Sequence, residues 1–322
     1  MALTDYLSCR NVGRSGLVVS EISLGSWLTY GAAVNDETAA DCLRTALDEG
    51  IFFFDTADVY NQGAAESVLG RVLSEQTRSD LVIATKAFFP MSDNPNDRGL
   101  SRKHLTESLE KSLKRLKTDY VDLFQCHRFD PNVPMEETVR AMDDLVRSGK
   151  TLYWGVSLWN EEQIADGLRV ADELGAVRPI SNQPPYNMLE RDVEERVIPF
   201  CEEHGLGQVV FSPLCEGILT GKYSGGKLPE GSRATSETYG RFLRPRMTER
   251  NLDVVDRLAG VAAEAGMTLP ALALAWALRL SNVSAVIIGA SRPEQVRENA
   301  KAAGVTLERD LLQRIEMILS GS

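Results

Sequence analysis

The feature that most constrains this chain is a repeated alternation of short apolar runs with longer segments of helical period. Eight runs stand out: Ile22–Trp27, Phe52–Ala57, Leu81–Lys86, Val121–His127, Tyr153–Ser157, Pro179–Gln183, Gln208–Ser212 and Ser284–Gly289. Most are apolar almost throughout, as parallel strands covered on both faces must be. Between them, Ser101–Lys117 carries Leu105, Leu109, Leu113 and Leu116 on one helical face and its charges on the other. Asp36–Glu49, Ala64–Ser74, Met135–Ser148, Glu161–Leu174, Arg191–His204 and Pro293–Ala303 behave alike. Asn35 and Asn160 stand at helix starts, and Gly50, Gly149, Gly175 and Gly205 just past helix ends. Eight strands are the number that closes a barrel, so the expectation is an α/β fold of the (β/α)8 TIM-barrel type. An open doubly wound sheet is disfavoured, since no G-x-G-x-x-G follows the first strand. No Pro/Ser-rich linker divides the chain, so one barrel over residues 1–322 is expected. Residues 9–20 read as an N-terminal hairpin capping the barrel bottom, and residues 213–250 as a long Gly-rich loop of the kind that serves a site. Met267–Leu280 and Leu307–Leu319 read as extra C-terminal helices.

Composition narrows the partners. With 35 Lys+Arg against 46 Asp+Glu the formal charge is −11. That balance argues against a nucleic-acid partner, whose binding requires basic surface to displace counterions, and against docking on an anionic membrane. The longest uncharged stretches, Ile22–Asn35 and Ala265–Leu278, fall short of the ~20 residues a spanning helix needs. MALTDYLSCR lacks the basic start and apolar core of a secretory signal. Five cysteines with no C-x-x-C spacing suggest free thiols, no metal site and a cytoplasmic location.

Active sites of such barrels sit at the C-terminal ends of the strands. The second run ends Phe54-Asp55-Thr56-Ala57-Asp58-Val59-Tyr60, the third Thr85-Lys86 and the fourth Gln125-Cys126-His127. Asp55, Tyr60, Lys86 and His127 should therefore meet at one mouth. A free tyrosine has a pKa near ~10 and exchanges protons poorly at neutral pH. An ammonium beside the phenol should lower that value, with Asp55 holding the ammonium by a salt bridge. His127 can hydrogen-bond a substrate oxygen. Such a set would protonate a carbonyl oxygen while another agent delivers hydride, which implies a nicotinamide. A second constellation, Ile287-Ile288-Gly289-Ala290-Ser291-Arg292-Pro293-Glu294-Gln295, runs off the eighth strand into a helix with proline in its first turn. Its free N–H groups and Arg292 suit an anion. Lys222 and Arg233 add cations from the loop after the seventh strand.

With these motifs in view the chain resembles the aldo-keto reductase superfamily over essentially its whole length. Within it, the chain is most similar to the branch of voltage-gated potassium-channel β-subunits and their bacterial relatives. The matching segments include Leu24-Gly25-Ser26-Trp27, Asp55-Thr56-Ala57-Asp58-Val59-Tyr60, Gly99-Leu100-Ser101-Arg102-Lys103-His104, Ser212-Pro213-Leu214, Gly221-Lys222-Tyr223 and Gly289-Ala290-Ser291. The resemblance implies an NADP(H)-dependent reductase of small carbonyl substrates with Tyr60 as general acid, assisted by Lys86, Asp55 and His127. It implies that Gly25, Ser26 and Trp27 line the nicotinamide end, and that Ser157, Asn182 and Gln183 hold the carboxamide. Phe211, Ser212, Pro213, Leu214, Gly217 and Lys222 would follow the pyrophosphate. Arg233, Gly289, Ser291, Arg292, Gln295, Glu298 and Asn299 would grip the adenosine half. Trp27, Tyr60, Phe88, His127 and Trp159 are expected to line the substrate pocket, with Tyr30 nearby. The chain departs from the branch at His127, where channel subunits carry Asn, and at Leu158, Phe211 and Ala33. The branch implies a homo-oligomer, a tetramer or larger. It also leaves a second reading, a nucleotide-sensing regulatory β-subunit of a potassium channel with little turnover.

Overall fold

The computed structural model describes residues 6–27, 30, 34–230 and 232–321. A hairpin of β1 (Cys9–Asn11) and β2 (Val18–Ser20) precedes eight parallel strands. These are β3 (Ile22–Gly25), β4 (Phe53–Asp55), β5 (Val82–Ala87), β6 (Val121–Cys126), β7 (Thr151–Ser157), β8 (Ser181–Gln183), β9 (Gly207–Val210) and β10 (Val283–Ile288). They close in chain order, with β10 pairing back onto β3 through Val286↔Ile22 and Ile288↔Leu24. Every expected apolar run supplies one barrel strand, and the (β/α)8 architecture is the one observed.

The helices lie outside: α1 (Asp36–Asp48), α2 (Ala64–Leu73), α3 (Arg102–Leu116), α4 (Met135–Arg147), α5 (Glu161–Leu174) and α6 (Val197–His204). They continue as α7 (Glu237–Leu243), α8 (Glu249–Glu264), α9 (Leu269–Ala277), α10 (Pro293–Ala300) and α11 (Arg309–Ser320). Local chemistry sets their ends. Asn35 accepts from Thr38 N–H, and Asn160 and Gln163 form a reciprocal capping box. α6 is shorter than expected, because Pro199 cannot sit in a helix interior and is tolerated only in a first turn. α8 has no counterpart among the expected helices. Its buried stripe of Val254, Val255, Leu258, Val261 and Ala262 is thinned by alanines and Gly260 and starts at the Thr248 cap. No single helix among the described residues is long and apolar enough to cross a membrane.

Apolar packing falls into two clusters. The larger joins outward strand residues such as Ile22, Leu24, Phe54 and Val156 to the helices. The smaller fills the bottom of the barrel, where Phe53, Val82, Leu123, Val209 and Ala285 meet Val12, Leu17 and Val19 of the hairpin. The hairpin therefore caps the barrel floor, as its position suggests. Arg14 N–H donates to Gly205 O at 2.9 Å, and Gly13, at φ +56°, lies so close that a Cβ would stand 2.3 Å from the same oxygen. With the floor filled by hydrocarbon, polar side chains are left to the other end.

α2 packs tightly on α3 at Gly70, where a Cβ would lie 2.2 Å from Arg115 O. Helix propensity alone favours Gly→Ala by ~1 kcal/mol, but the overlap is with backbone, which cannot swing away. Gly70→Ala should therefore destabilise by about 1–3 kcal/mol, read from urea unfolding. A stabilised variant would mean that the two helices have room to part.

Candidate active site

Strand alternation aims Asp55, Lys86, Gln125 and Gln183 into the barrel, one layer above the apolar floor. Lys86 Nζ lies 2.6 Å from Asp55 Oδ2 and donates to Thr56 O at 2.7 Å, with both charged side chains buried. It reaches Tyr60 Oη at 3.5 Å. The second oxygen of Asp55 accepts from Gln183 Nε2 at 3.0 Å. The Tyr60 and His127 rings meet edge to face with centroids 5.7 Å apart. Residues from the ends of three adjacent strands thus converge on one point.

Electrostatics follow from burial. The Tyr60 phenol is pushed well above its ordinary value, first by burial and then by Asp55, while Arg128 pulls the other way. The net direction is opposite to the lowering expected from Lys86, because removing phenolate from water outweighs the pull of Arg128. Lys86 is lowered by burial, with Asp55 opposing. His127 is held well below the usual imidazole range by burial, Lys86 and Arg128. The site therefore presents a protonated phenol beside a neutral imidazole whose Nδ1 is buried without a protein partner.

Backbone strain marks the same end of the barrel. Among the described residues seven non-glycine residues have positive φ, and six follow barrel strands: Asn61 and Gln62 after β4, Leu158 after β7, and Ser212, Cys215 and Glu216 after β9. Such conformations persist only where the surroundings enforce them. Behind Tyr60 the enforcement is a buried polar network. Arg115 Nε donates to Glu66 Oε2 at 2.6 Å, Thr85 Oγ1 to Glu66 Oε1 at 2.5 Å, and Ser108 Oγ to Asp58 Oδ2 at 2.6 Å. Burial pushes the Asp58 carboxyl up to about 7.

The remaining expected residues divide. Gly25 ends β3, where a Cβ would lie 2.5 Å from Ile287 Cγ2, so close packing alone demands glycine. Ser26 is buried and donates to Thr56 Oγ1, and Trp27 packs on Phe242 of α7 at 5.3 Å. Ser157 Oγ donates to Gln183 O at 2.9 Å. Asn182 does not share the inward face of Gln183, since neighbours on a strand point to opposite faces. Its Nδ2 reaches Trp159 O at 3.5 Å and its Oδ1 is buried without a partner. Phe211 packs onto the barrel-floor cluster, and the chain then turns through Ser212, Pro213, Leu214 and Gly217, with Ser212 Oγ donating to Glu216 at 2.7 Å. A Cβ on Gly217 would stand 3.0 Å from Lys222 Nζ. Ser291 and Arg292 are exposed at the start of α10, which has no side-chain cap, and Gln295 Oε1 accepts from Ser291 N–H at 2.8 Å. Gly289 is exposed, Glu298 half-buried and Asn299 buried. The Arg233 side chain and Ala33 lie outside what is described.

The aromatic wall differs from expectation. Phe89 meets the His127 ring at 5.1 Å, whereas Phe88 packs towards the outer core. Trp159 is only 2% exposed and stacks edge to face on Phe129. Tyr30 is likewise buried in the outer core cluster, beside Cys42. Phe89 and Arg128 are the site neighbours no motif announced; their only sequence signal is nearness to Lys86 and His127.

The model of the aldo/keto reductase family matches residues 21–320. A protein of Arabidopsis thaliana described as a "probable voltage-gated potassium channel subunit beta" is 44% identical over 315 residues, 96% of each chain. One of the same description from Oryza sativa subsp. japonica is 42% identical over 315 residues, again 96% of each. The chain belongs to the aldo/keto reductase family, and by that membership is an oxidoreductase.

Asp58 gives a prediction of sign. Its carboxyl is raised from 3.8 to about 7 on folding, so the folded state holds the proton more tightly. The resulting contribution is fully present below pH ~4 and lost as pH rises towards 7. Asp58→Asn should flatten that decline in unfolding free energy, measured by urea titration at several pH values. An unaltered slope would assign the decline to other groups.

Proposed function

We propose that this protein reduces aldehydes or ketones to alcohols with NADPH, and that Tyr60 is the general acid. The observation that carries the reading is the convergence of a buried, protonated Tyr60 with Lys86, Asp55 and His127. NADPH, when bound, supplies the hydride. Tyr60 hands its proton to the carbonyl oxygen from a phenol kept neutral by burial. Lys86 stands ready to stabilise the phenolate that remains, and Asp55 keeps Lys86 charged in an interior that would otherwise strip its proton. His127, neutral, orients the carbonyl by a hydrogen bond.

The residues present fit such a cofactor. α10 leaves its first N–H groups without a side-chain cap, the loop after β9 is a strained turn closed by Gly217 against Lys222, and Arg292 is exposed at the helix start. On this reading Ser157 and Gln183 hold the carboxamide. The loop 211–217 with Lys222 follows the pyrophosphate, and Ser291, Arg292, Gln295, Glu298 and Asn299 hold the adenosine half with its 2′-phosphate. A second reading is a regulatory channel subunit that senses nucleotide and turns over slowly; the relatives' descriptions fit it by name alone.

Tyr60→Phe should bind NADPH almost as the parent does, yet lose about 10²–10⁴-fold in kcat with 4-nitrobenzaldehyde, followed by NADPH absorbance. Unchanged turnover would remove the acid role, and negligible turnover of the parent on a broad carbonyl panel would favour the regulatory reading. Arg292→Ala should weaken NADPH binding more than NADH binding in fluorescence titrations. Equal losses would remove the 2′-phosphate assignment.

A further inference from the structure

Arg128 stands beside the candidate site with a charge that no carboxylate among the described residues balances. It follows His127 off the end of β6, and its Nη1 donates to the His127 carbonyl oxygen at 2.5 Å. Its guanidinium lies over the Phe89 ring at 5.2 Å from the centroid, and that same ring packs against the His127 imidazole. Among the described residues no carboxylate lies within ion-pair distance of it. The nearest acid along the chain, Asp130, uses one oxygen on the Leu100 N–H and the other on the Asn132 N–H. Arg128 is half-buried, and its charge acts on Tyr60, Lys86 and His127 alike. A guanidinium has five donors, so one backbone bond and a ring face hold it in place without neutralising it.

Topology separates this cation from the proposed nucleotide contacts. In the closed order β10-β3-β4-β5-β6-β7-β8-β9, β6 stands four strands from β10 in either direction. Arg128 is therefore on the rim opposite Ser291 and Arg292. A half-buried, unpaired guanidinium is costly unless a ligand completes it, and its planar fork matches a carboxylate.

We propose that Arg128 is a specificity-determining residue that binds the carboxylate of an anionic carbonyl substrate, with the carbonyl directed at Tyr60 and His127. This rests on the reductase reading above and narrows its substrate class to aldehydes or ketones bearing an acid group. The Phe89 ring serves as the platform that keeps the guanidinium beside the reacting group.

The test compares 4-carboxybenzaldehyde with its neutral methyl ester, methyl 4-formylbenzoate, using NADPH. The parent should favour the acid in kcat/KM, and Arg128→Gln should lower the acid-to-ester ratio at least 10-fold, mainly through KM. Arg128→Lys, which keeps the charge without the fork, should recover part of the ratio. Because the readout is a ratio, a general loss of activity does not mimic it, and thermal unfolding of each variant shows whether it is folded. A ratio unmoved by Arg128→Gln would overturn the proposal while leaving the reductase reading intact. If the parent reduces neither aldehyde, the reductase reading fails, and calorimetric binding of 4-(hydroxymethyl)benzoate against its methyl ester decides for Arg128 separately. Tighter binding of the anion that vanishes in Arg128→Gln would uphold the anion site, and equal binding by the parent would overturn it.

Discussion

The interaction on which the rest of the site depends is the ion pair between Lys86 and Asp55, closed at 2.6 Å inside the barrel. Taking both charges from water costs several kcal/mol per ion, and their attraction repays it only when the remaining donors and acceptors are satisfied. Here they are: Lys86 also meets Thr56 O, and the other Asp55 oxygen accepts from Gln183. These partners come from β5, from β4 and the turn after it, and from β8, so the pair exists only while the sheet is closed. Breaking it from one side would leave an uncompensated charge in the barrel, so closure and candidate chemistry rest on the same bond.

The two ends of the barrel are built for different purposes. At the N-terminal end the hairpin is driven into a hydrocarbon floor, which excludes water and fixes strand spacing. At the C-terminal end six non-glycine residues among those described take left-handed conformations just after the strands. The turn after Tyr60 is stiffened from behind by Glu66, Arg115, Thr85, Ser108 and Asp58, spread over β5, α2, α3 and the turn itself. A rigid floor and an enforced rim allow a phenol, an imidazole and an ammonium to stay in contact despite the cost of burying them.

Much of this was legible in the chain. Eight apolar runs became eight strands because continuous apolarity has one economical solution, a parallel sheet covered on both faces. Asp55, Tyr60, Lys86 and His127 could be placed together because each follows a strand by a few residues and the strands are neighbours. What escaped were side-chain directions. Phe88 and Phe89 are chemically identical, and only the turn after β5 decides that Phe89 meets His127. Trp159 and Tyr30 satisfy any aromatic-wall pattern, yet both bury themselves in the outer core. Asn182 stands one residue from Gln183 and so points away from it. α8 hid because alanine and glycine dilute its stripe.

The sequence by itself determined the architecture and the place where Asp55, Tyr60, Lys86 and His127 meet, since hydrophobic period and strand-end position act locally and survive any detail of packing. The tertiary structure alone decided the charge states. Burial, which no motif encodes, keeps Tyr60 protonated against the simple expectation from a neighbouring ammonium, and acts with Lys86 and Arg128 to keep His127 neutral. It alone left Arg128 half-buried with no carboxylate in ion-pair reach among the described residues, because whether a cation finds a carboxylate depends on which side chains the closed barrel brings within reach.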